Sequence, residues 1–156
     1  MSAEEMIQHH DRYTTAWNDH DAEGVMAVFA DGGTVSDPAT DGTLTGEEIG
    51  EWVAETAEAF PDVRFEIDRR VADEDGLLFV EWTMTGTHDG PFGPLPPTGN
   101  AVELSGVDVI SVSEHGITAI DGYFDMTEFK SQLGLTFPEI IGQLPKLAVR
   151  KVSNNR

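Results

Sequence analysis

Three ionisable residues lie on consecutive predicted strands. One strand ends at His88, the next carries Asp108, and a third ends at Asp125. An aspartate in an apolar cavity can remove a proton alpha to a carbonyl group, and a histidine or a protonated aspartate can donate to the developing enolate oxygen. If these side chains share one cavity, the sequence predicts acid/base chemistry without a cofactor, with Asp125 as the general base.

The alternation of side chains along the strands puts His88 and Asp108 on apolar faces. A carboxylate among apolar residues is unfavourable unless it is paired or protonated, and such groups often mark functional sites. Asp108 could instead be a hydrogen-bonded structural acid, or an exposed residue next to a bulge at Gly106. His88 could be a strand-end histidine bonded to a backbone carbonyl of the following loop. The apolar residues on these faces are Leu78, Val80, Trp82 and Met84 on one strand, and Val102, Leu104, Ile110 and Val112 on the other.

Asp125 is open to two interpretations. It shares strand parity with Ile117 and Tyr123, and it stands immediately before a predicted helix. It can face the cavity as a base, or its carboxylate can accept from the amide of Thr127 or Glu128 as a helix N-cap. The two roles are compatible, since a capping residue can also face a cavity.

The first predicted helix, at 3–18, contributes an aromatic stripe. Met6, His10, Tyr13 and Trp17 recur at the spacing of one helical face. A buried tyrosine hydroxyl needs a partner, so we predict Tyr13 as a donor in the pocket, and His10 as a core or rim residue. The aromatic residues predicted to contact substrate are Trp17, Phe29, Trp52, Trp82, Phe92 and Tyr123.

Three helices followed by a run of strands must position these residues. Asp21 is predicted to cap a second helix that stops at Gly32-Gly33, and Thr45 precedes a third helix with an apolar stripe from Ile49 to Phe60. The period then changes to two, and short turns predict antiparallel pairing. The sequence therefore predicts an α+β fold with helices on one face of a curved sheet. The predicted strands are 34–36, 63–71, 77–88, 101–113 and 117–125, followed by a helix at 126–133 and a short helix with a frayed end beyond residue 137.

The loop at 89–100 contains three glycines and four prolines, with Phe92 and Leu95 as its large apolar residues. Proline stiffens the chain and glycine permits tight turns. This composition is compatible with a lid over an apolar pocket, a plain connection packed on the sheet, or a dimer contact.

The chain is strongly acidic, with 29 Asp and Glu against 9 Lys and Arg and a formal net charge of −20. This charge argues against nucleic acid and anionic membranes as partners. Because the acids are dispersed along the chain, they suggest a surface adapted to high salt, where self-repulsion is screened. The charge bears on solubility rather than on chemistry.

Several classes of chemistry lack support in the sequence. The chain contains no Cys, which excludes disulfides, thiolate catalysis and Cys-based zinc sites. Nucleotide-binding, metalloprotease and nucleophile-elbow motifs are absent, and neither a secretory signal nor a long apolar run is evident. We predict a single cytoplasmic domain over 1–156, with its core at about 4–135, no cofactor and no metal.

Three segments carry a resemblance to a known family: YTTAWNDHDAEGVMAVFAD, GTHDGPFGPLPPTGNAVE and GITAIDGYFDMTEFKSQLGL. The chain resembles SnoaL-like proteins and ester cyclases of the nuclear-transport-factor-like superfamily, which includes ketosteroid isomerase and limonene epoxide hydrolase. The resemblance implies a cone-shaped α+β barrel, a cavity for a hydrophobic small molecule and frequent homodimers.

The resemblance also implies site roles. In the family's polyketide cyclases, an Asp near the end of the last strand is the acid/base in an aldol closure; it matches Asp125, or in a less favoured register Asp121. The cyclase histidine has no counterpart on the strand at 101–113. Epoxide hydrolases use an Arg and two Asp, for which Asp108, Asp125 and Arg69 would be needed, although a solvated Arg69 is the favoured interpretation. A non-catalytic carrier of an apolar ligand and an accessory protein that recruits a partner are the remaining alternatives.

Overall fold

The computed structural model describes residues 1–136 and 144–145. The predicted α+β class is confirmed, with four helices and six strands in the described chain. The predicted helix beyond residue 137 lies outside the described residues, apart from 144–145. The elements in order are α1 (Ala3–Asn18), α2 (Ala22–Ala27), β1 (Phe29–Ser36), β2 (Leu44–Thr45), α3 (Glu47–Ala59), β3 (Arg64–Ala72), β4 (Leu77–Thr87), β5 (Ala101–Ser113), β6 (Gly116–Phe124) and α4 (Met126–Gln132).

The six strands form one curved, unclosed sheet in the order β2-β1-β6-β5-β4-β3. The predicted antiparallel pairing of β3, β4, β5 and β6 is confirmed. The pairing of β1 with β6 is parallel and was not predicted; it aligns Ser36 with Asp121. This pairing brings the residue after β1, Asp37, to the middle of the sheet beside β6.

Local capping explains where the first two helices begin. Ser2 and Glu5 form a reciprocal capping box at the start of α1. Asp21 caps α2 by accepting from the Gly24 amide at 2.9 Å, as predicted. The predicted stop at Gly32-Gly33 is wrong, because α2 ends at Ala27 and both glycines lie within β1.

The third helix agrees with its predicted apolar stripe but not with its predicted cap. Ile49 and Val53 are fully buried on the stripe. Thr45 belongs to β2, and the N-cap is Gly46, which has a positive φ and no side chain to cap with. Packing of the stripe, rather than capping, therefore accounts for this helix.

Two β-bulges reverse the side-chain parity that the sequence suggested. One register shift lies between Ile67 and Arg69 on β3, and another leaves Thr118 unpaired on β6. Each extra residue moves the following side chains to the opposite face of the sheet. As a result Arg70, and not Arg69, lies on the helix side.

The helices cover the concave face, where an aromatic chain forms much of the core. Trp17 contacts Trp52 and Phe65 edge-on, with ring centroids 4.9 and 5.2 Å apart. Phe65 in turn contacts Trp82, and the ring centroids of Trp82 and Phe124 are 6.1 Å apart. Among the described residues, no helix has the length and apolar character needed to cross a membrane.

Candidate active site

An apolar cavity lies between helices α1 and α3 and the concave face of the sheet. Its volume, including the open space at its mouth, is about 860 Å³. Four of the predicted substrate-contacting residues line it: Trp17, Trp52, Trp82 and Phe92. The wall is mainly apolar and rich in aromatic side chains, as in many sites for hydrophobic small molecules.

Asp108 projects into this cavity from the middle of β5. Its neighbour on β6 is Gly122, where an added Cβ would stand 3.0 Å from Asp108 Oδ1. Glycine at this position therefore leaves room for the carboxylate. The carboxylate accepts no hydrogen bond from the described residues, and burial, with a smaller contribution from the charge of Asp37, raises the pKa of Asp108 to about 7.

Asp37 is a second cavity carboxylate, which the sequence analysis did not single out. It follows β1 directly, and its Oδ1 accepts from the Ala39 and Thr40 amides at 2.7 and 3.0 Å. Its Cβ would lie 3.0 Å from a Cβ on Gly122, so the two acids flank the same glycine. Burial raises the pKa of Asp37, while the two amide hydrogen bonds act in the opposite direction.

Tyr13 reaches the cavity from α1, as the helical stripe predicted. Its ring lies edge-on to Phe29, with centroids 6.1 Å apart. Burial, together with the negative charge of Asp108, raises the pKa of Tyr13 far above its ordinary value. The phenol is therefore a neutral hydrogen-bond donor, and it lines the same cavity as Asp108.

Trp82 completes this group of polar atoms. An added Cβ on Gly106 would stand 2.3 Å from the Trp82 ring, so the indole lies directly over the backbone of β5. The indole N–H is buried and has no hydrogen-bond partner within normal limits. It nevertheless lies near enough to Asp108 to lower the pKa of that carboxyl in part.

His10 also lines the cavity, one helical turn before Tyr13. The histidine is 2 % exposed, and burial, with the positive charge of Arg70, lowers its pKa to about 4. The sequence assigned it to the core or rim, and its position in the cavity wall gives it a polar atom within reach of a ligand.

The structure contradicts the prediction that Asp125 enters the cavity. Asp125 is exposed, and its Oδ1 accepts from the Thr127 and Glu128 amides at 2.9 and 3.1 Å. It is the N-cap of α4, which was the alternative interpretation. The bulge at Thr118 is the physical reason, because parity carried forward from Ile117 points to the wrong face.

His88 is fully buried but does not line the cavity. Its ring packs against Phe60, with centroids 5.3 Å apart, and its Nδ1 accepts from the Thr98 amide at 3.2 Å. Gly99 N–H donates to the His88 carbonyl. These contacts hold the loop that follows β4. The other ring nitrogen, Nε2, is buried and has no hydrogen-bond partner among the described residues.

Three other predicted residues lie elsewhere. Phe29 is half-buried behind Tyr13 and does not line the cavity. Tyr123 is 63 % exposed on the outer face of the sheet. Arg69 is also exposed and pairs with Glu81, which agrees with its favoured, solvated interpretation. In the part of the chain that the structure describes, no cluster of ligating side chains could hold a metal ion.

The fold and this cavity define a class: a cone-shaped α+β protein with acidic groups set in an apolar pocket. Residues 10–120 match the SnoaL-like domain model, and the chain belongs to the SnoaL-like family. A search of curated proteins finds no match.

Solved structures share the fold at low sequence identity. A protein from Streptomyces galilaeus provisionally described as a hydroxylase is 22 % identical, with 86 % of this chain and 99 % of that chain covered and a TM-score of 0.74. One from Jannaschia sp. CCS1, provisionally described as a SnoaL-like polyketide cyclase, is 16 % identical, with 85 % and 95 % covered and a TM-score of 0.75. An epoxide hydrolase/cyclase-like enzyme of pyran ring formation in salinomycin is 20 % identical, with 80 % and 94 % covered and a TM-score of 0.68.

Proposed function

We propose that this protein is a cofactor-independent enzyme that moves a proton alpha to a carbonyl group of a hydrophobic small molecule. One observation carries the proposal: Tyr13, Asp37 and Asp108 all line a single apolar cavity. An acid, a base and a neutral donor in one apolar site are the parts that enolisation requires.

The two carboxylates differ in environment, and this difference assigns their roles. Asp37 holds two amide hydrogen bonds on Oδ1, which favour its ionised form and leave Oδ2 free to accept a proton. Asp108 has no hydrogen-bond donor within normal limits and a pKa of about 7, so it is the carboxyl that holds a proton up to about neutral pH. Asp37 is therefore the base and Asp108 a neutral donor.

The reaction follows from these roles. The Asp37 carboxylate removes a proton from the carbon next to the carbonyl, and the C–H electron pair moves to form an enolate. Tyr13 and protonated Asp108 donate to the enolate oxygen. In an unsaturated ketone the enolate is a dienolate, and Asp37 returns the proton to its distal carbon in an isomerisation. In a ring closure the enolate carbon instead attacks a second carbonyl, and the resulting alkoxide takes the proton from Asp37. Ketosteroid isomerases use the same set of groups, an aspartate base with a tyrosine and a protonated aspartate as donors.

Epoxide hydrolysis is less well supported, although a neighbour of this fold is described as epoxide hydrolase/cyclase-like. That chemistry would use the two acids together with an arginine. Arg69 is exposed, and no arginine in the described chain lines the cavity. Arg70 is held by Asp11 at the edge of α1.

The test is hydrogen exchange at the activated carbon of 2-tetralone in D₂O, followed by proton NMR. We expect the protein to accelerate exchange and Asp37→Asn to reduce the enzymatic rate by about 10²–10⁴-fold. Asp125→Asn is the matched control, because it neutralises an exposed aspartate outside the cavity; its rate should stay within about twofold. Equal rates for wild type and Asp37→Asn would exclude Asp37 as the base, and tight binding without exchange would indicate a carrier.

The expected homodimer also belongs to the proposal. Val71, Phe79, Val107 and Tyr123 are 40–66 % exposed on neighbouring strands of the outer sheet face. An exposed apolar face of this kind suits a second copy of the chain. Light scattering in high salt, where the net charge is screened, should give a dimer for wild type and a monomer for Tyr123→Lys. A wild-type monomer under these conditions would contradict the assembly.

A further inference from the structure

The tautomer of His10 follows from its neighbour on β3. Arg70 Nη1 lies 3.3 Å from His10 Nδ1, and the guanidinium is held in place by Asp11. A guanidinium can only donate hydrogen bonds, so Nδ1 must be the acceptor. Because burial keeps the ring neutral above about pH 4, its single proton is on Nε2.

This Nε2–H has no hydrogen-bond partner among the described residues, although His10 is 2 % exposed and lines the cavity. Among the described residues, the fully enclosed side-chain nitrogens without a partner are Trp82 Nε1 and His88 Nε2, and His10 Nε2 is not one of them. Because no described residue accepts from it and the ring lines the cavity, this donor is open to the cavity and available to a ligand. The cavity lies beside the ring and offers space that a ligand can fill.

The second donor stands at a defined offset from the proposed reaction centre. His10 and Tyr13 are three residues apart on the same helical face, a rise of roughly 4.5 Å, and their ring centroids are 5.9 Å apart. A ligand whose carbonyl oxygen accepts from Tyr13 can therefore present another oxygen to His10. Asp37 and Asp108 line the same space, so a neutral oxygen suits it better than a carboxylate.

We propose that His10 is a specificity-determining residue whose Nε2–H binds a second, neutral oxygen acceptor on the substrate. The substrate class is then a hydrophobic carbonyl compound with a further ether, hydroxyl or carbonyl oxygen about one helical turn from the reacting carbonyl. The inference rests on the proposed function for the orientation of the ligand.

Ligand affinity in the Asp37→Asn background separates binding from turnover. The probes are 2-tetralone and 6-methoxy-2-tetralone, which differ in one acceptor oxygen, and the readout is quenching of the three tryptophans that line the cavity. We expect His10→Phe to weaken binding of the methoxy compound about tenfold and of 2-tetralone less than about twofold. His10→Gln, whose amide nitrogen can replace Nε2–H, should recover most of the loss.

Equal losses for both ketones in His10→Phe would overturn the proposal, since they would indicate a packing role alone. If His10→Phe does not fold, His10→Asn takes its place. The shorter Asn amide occupies the position of Nδ1 and cannot reach the ligand. This variant should therefore also lose the preference for 6-methoxy-2-tetralone over 2-tetralone. If His10 distinguishes the two ketones but the wild-type protein does not accelerate hydrogen exchange, only the proposed function is refuted. If exchange is accelerated but His10 does not distinguish the ketones, only the His10 proposal is refuted. If neither ketone binds, both proposals are contradicted for this substrate class.

Discussion

Asp37 and Asp108 are chemically identical side chains that the fold puts in different environments. They flank Gly122, but Asp37 receives two backbone amides and Asp108 receives none. In an apolar cavity, a difference of this kind decides which carboxyl ionises first. The proposed division into base and donor therefore depends on hydrogen bonds that other residues supply.

The raised pKa of Asp108 predicts a pH-dependent stability difference. From about pH 4 to pH 7 the folded protein holds a proton on Asp108 that the unfolded chain releases, so this residue lowers the free energy of unfolding as pH rises. Over the whole window the effect is on the order of 4 kcal/mol at most. Asp108→Asn removes this dependence, and chemical denaturation across this range should show the variant gaining on wild type as pH rises.

His10 changes the free energy of unfolding with pH in the opposite direction to Asp108. The effect of Asp108 must therefore be measured as the difference between wild type and Asp108→Asn. Its lowered pKa means that the unfolded chain binds a proton between about pH 4 and pH 6.5 that the folded protein does not, so stability from this group rises with pH. Wild type and Asp108→Asn both contain His10, so its contribution cancels when their free energies of unfolding are subtracted. A variant that tracks wild type at every pH would contradict the raised pKa of Asp108.

Strand and helix periodicity were sufficient to propose Asp108 and Tyr13 as cavity residues, because both follow regular elements. Asp37 was missed, because its position depends on parallel pairing between β1 and β6, two strands far apart in the chain. The segment Asp37-Pro38-Ala39-Thr40 does carry a local signal: an Asp before Pro in such a segment favours a turn in which the carboxylate accepts from later amides. That signal predicts the turn but not the cavity beside it.

At the scale of elements, β-bulges set the limit of sequence-based prediction. The bounds of α1 and β5 agree with their predicted bounds, and three antiparallel pairings were predicted correctly. One extra residue on β3 and one on β6 reversed parity, which moved Arg70 inward and Asp125 outward. Neither bulge has a glycine or proline at the unpaired position, Asp68 or Thr118, to reveal it in the sequence.

The approach of Trp82 to β5 gives a prediction at this scale. Gly106→Ala would put a methyl group 2.3 Å from the indole, so the ring must move away from the strand. Overpacking of this kind costs about 1–3 kcal/mol, and the displaced indole would no longer lie beside Asp108. Denaturation should report the loss of stability, and a shifted tryptophan emission spectrum should report the movement.

Ser105→Ala is the matched control for Gly106→Ala. It also changes one residue of β5, but on the exposed outer face, so its stability should stay within about 0.5 kcal/mol of wild type. If Gly106→Ala had wild-type stability and an unchanged emission spectrum, the contact between Trp82 and the strand would be wrong.

The whole molecule carries a net charge of −20, and in the described chain only two ion pairs offset it. Self-repulsion on this scale destabilises the compact state, and salt screens it. We expect the melting temperature to rise by several degrees when KCl is raised from about 0.1 M to 1 M. The increase should shrink at about pH 4.5, where many carboxylates are protonated. A melting temperature independent of salt at neutral pH would contradict a surface adapted to high salt.

The central claim, that a neutral Asp108 and an ionised Asp37 share one cavity, can be measured without a substrate. Carbon-13 NMR of protein labelled at the aspartate carboxyl carbons, recorded from about pH 4 to pH 9, follows each group through its titration. We predict one carboxyl signal that titrates near pH 7 and is missing from the spectrum of Asp108→Asn. If every aspartate in the wild-type protein is ionised by about pH 5, the cavity holds no protonated acid and the proposed mechanism is wrong.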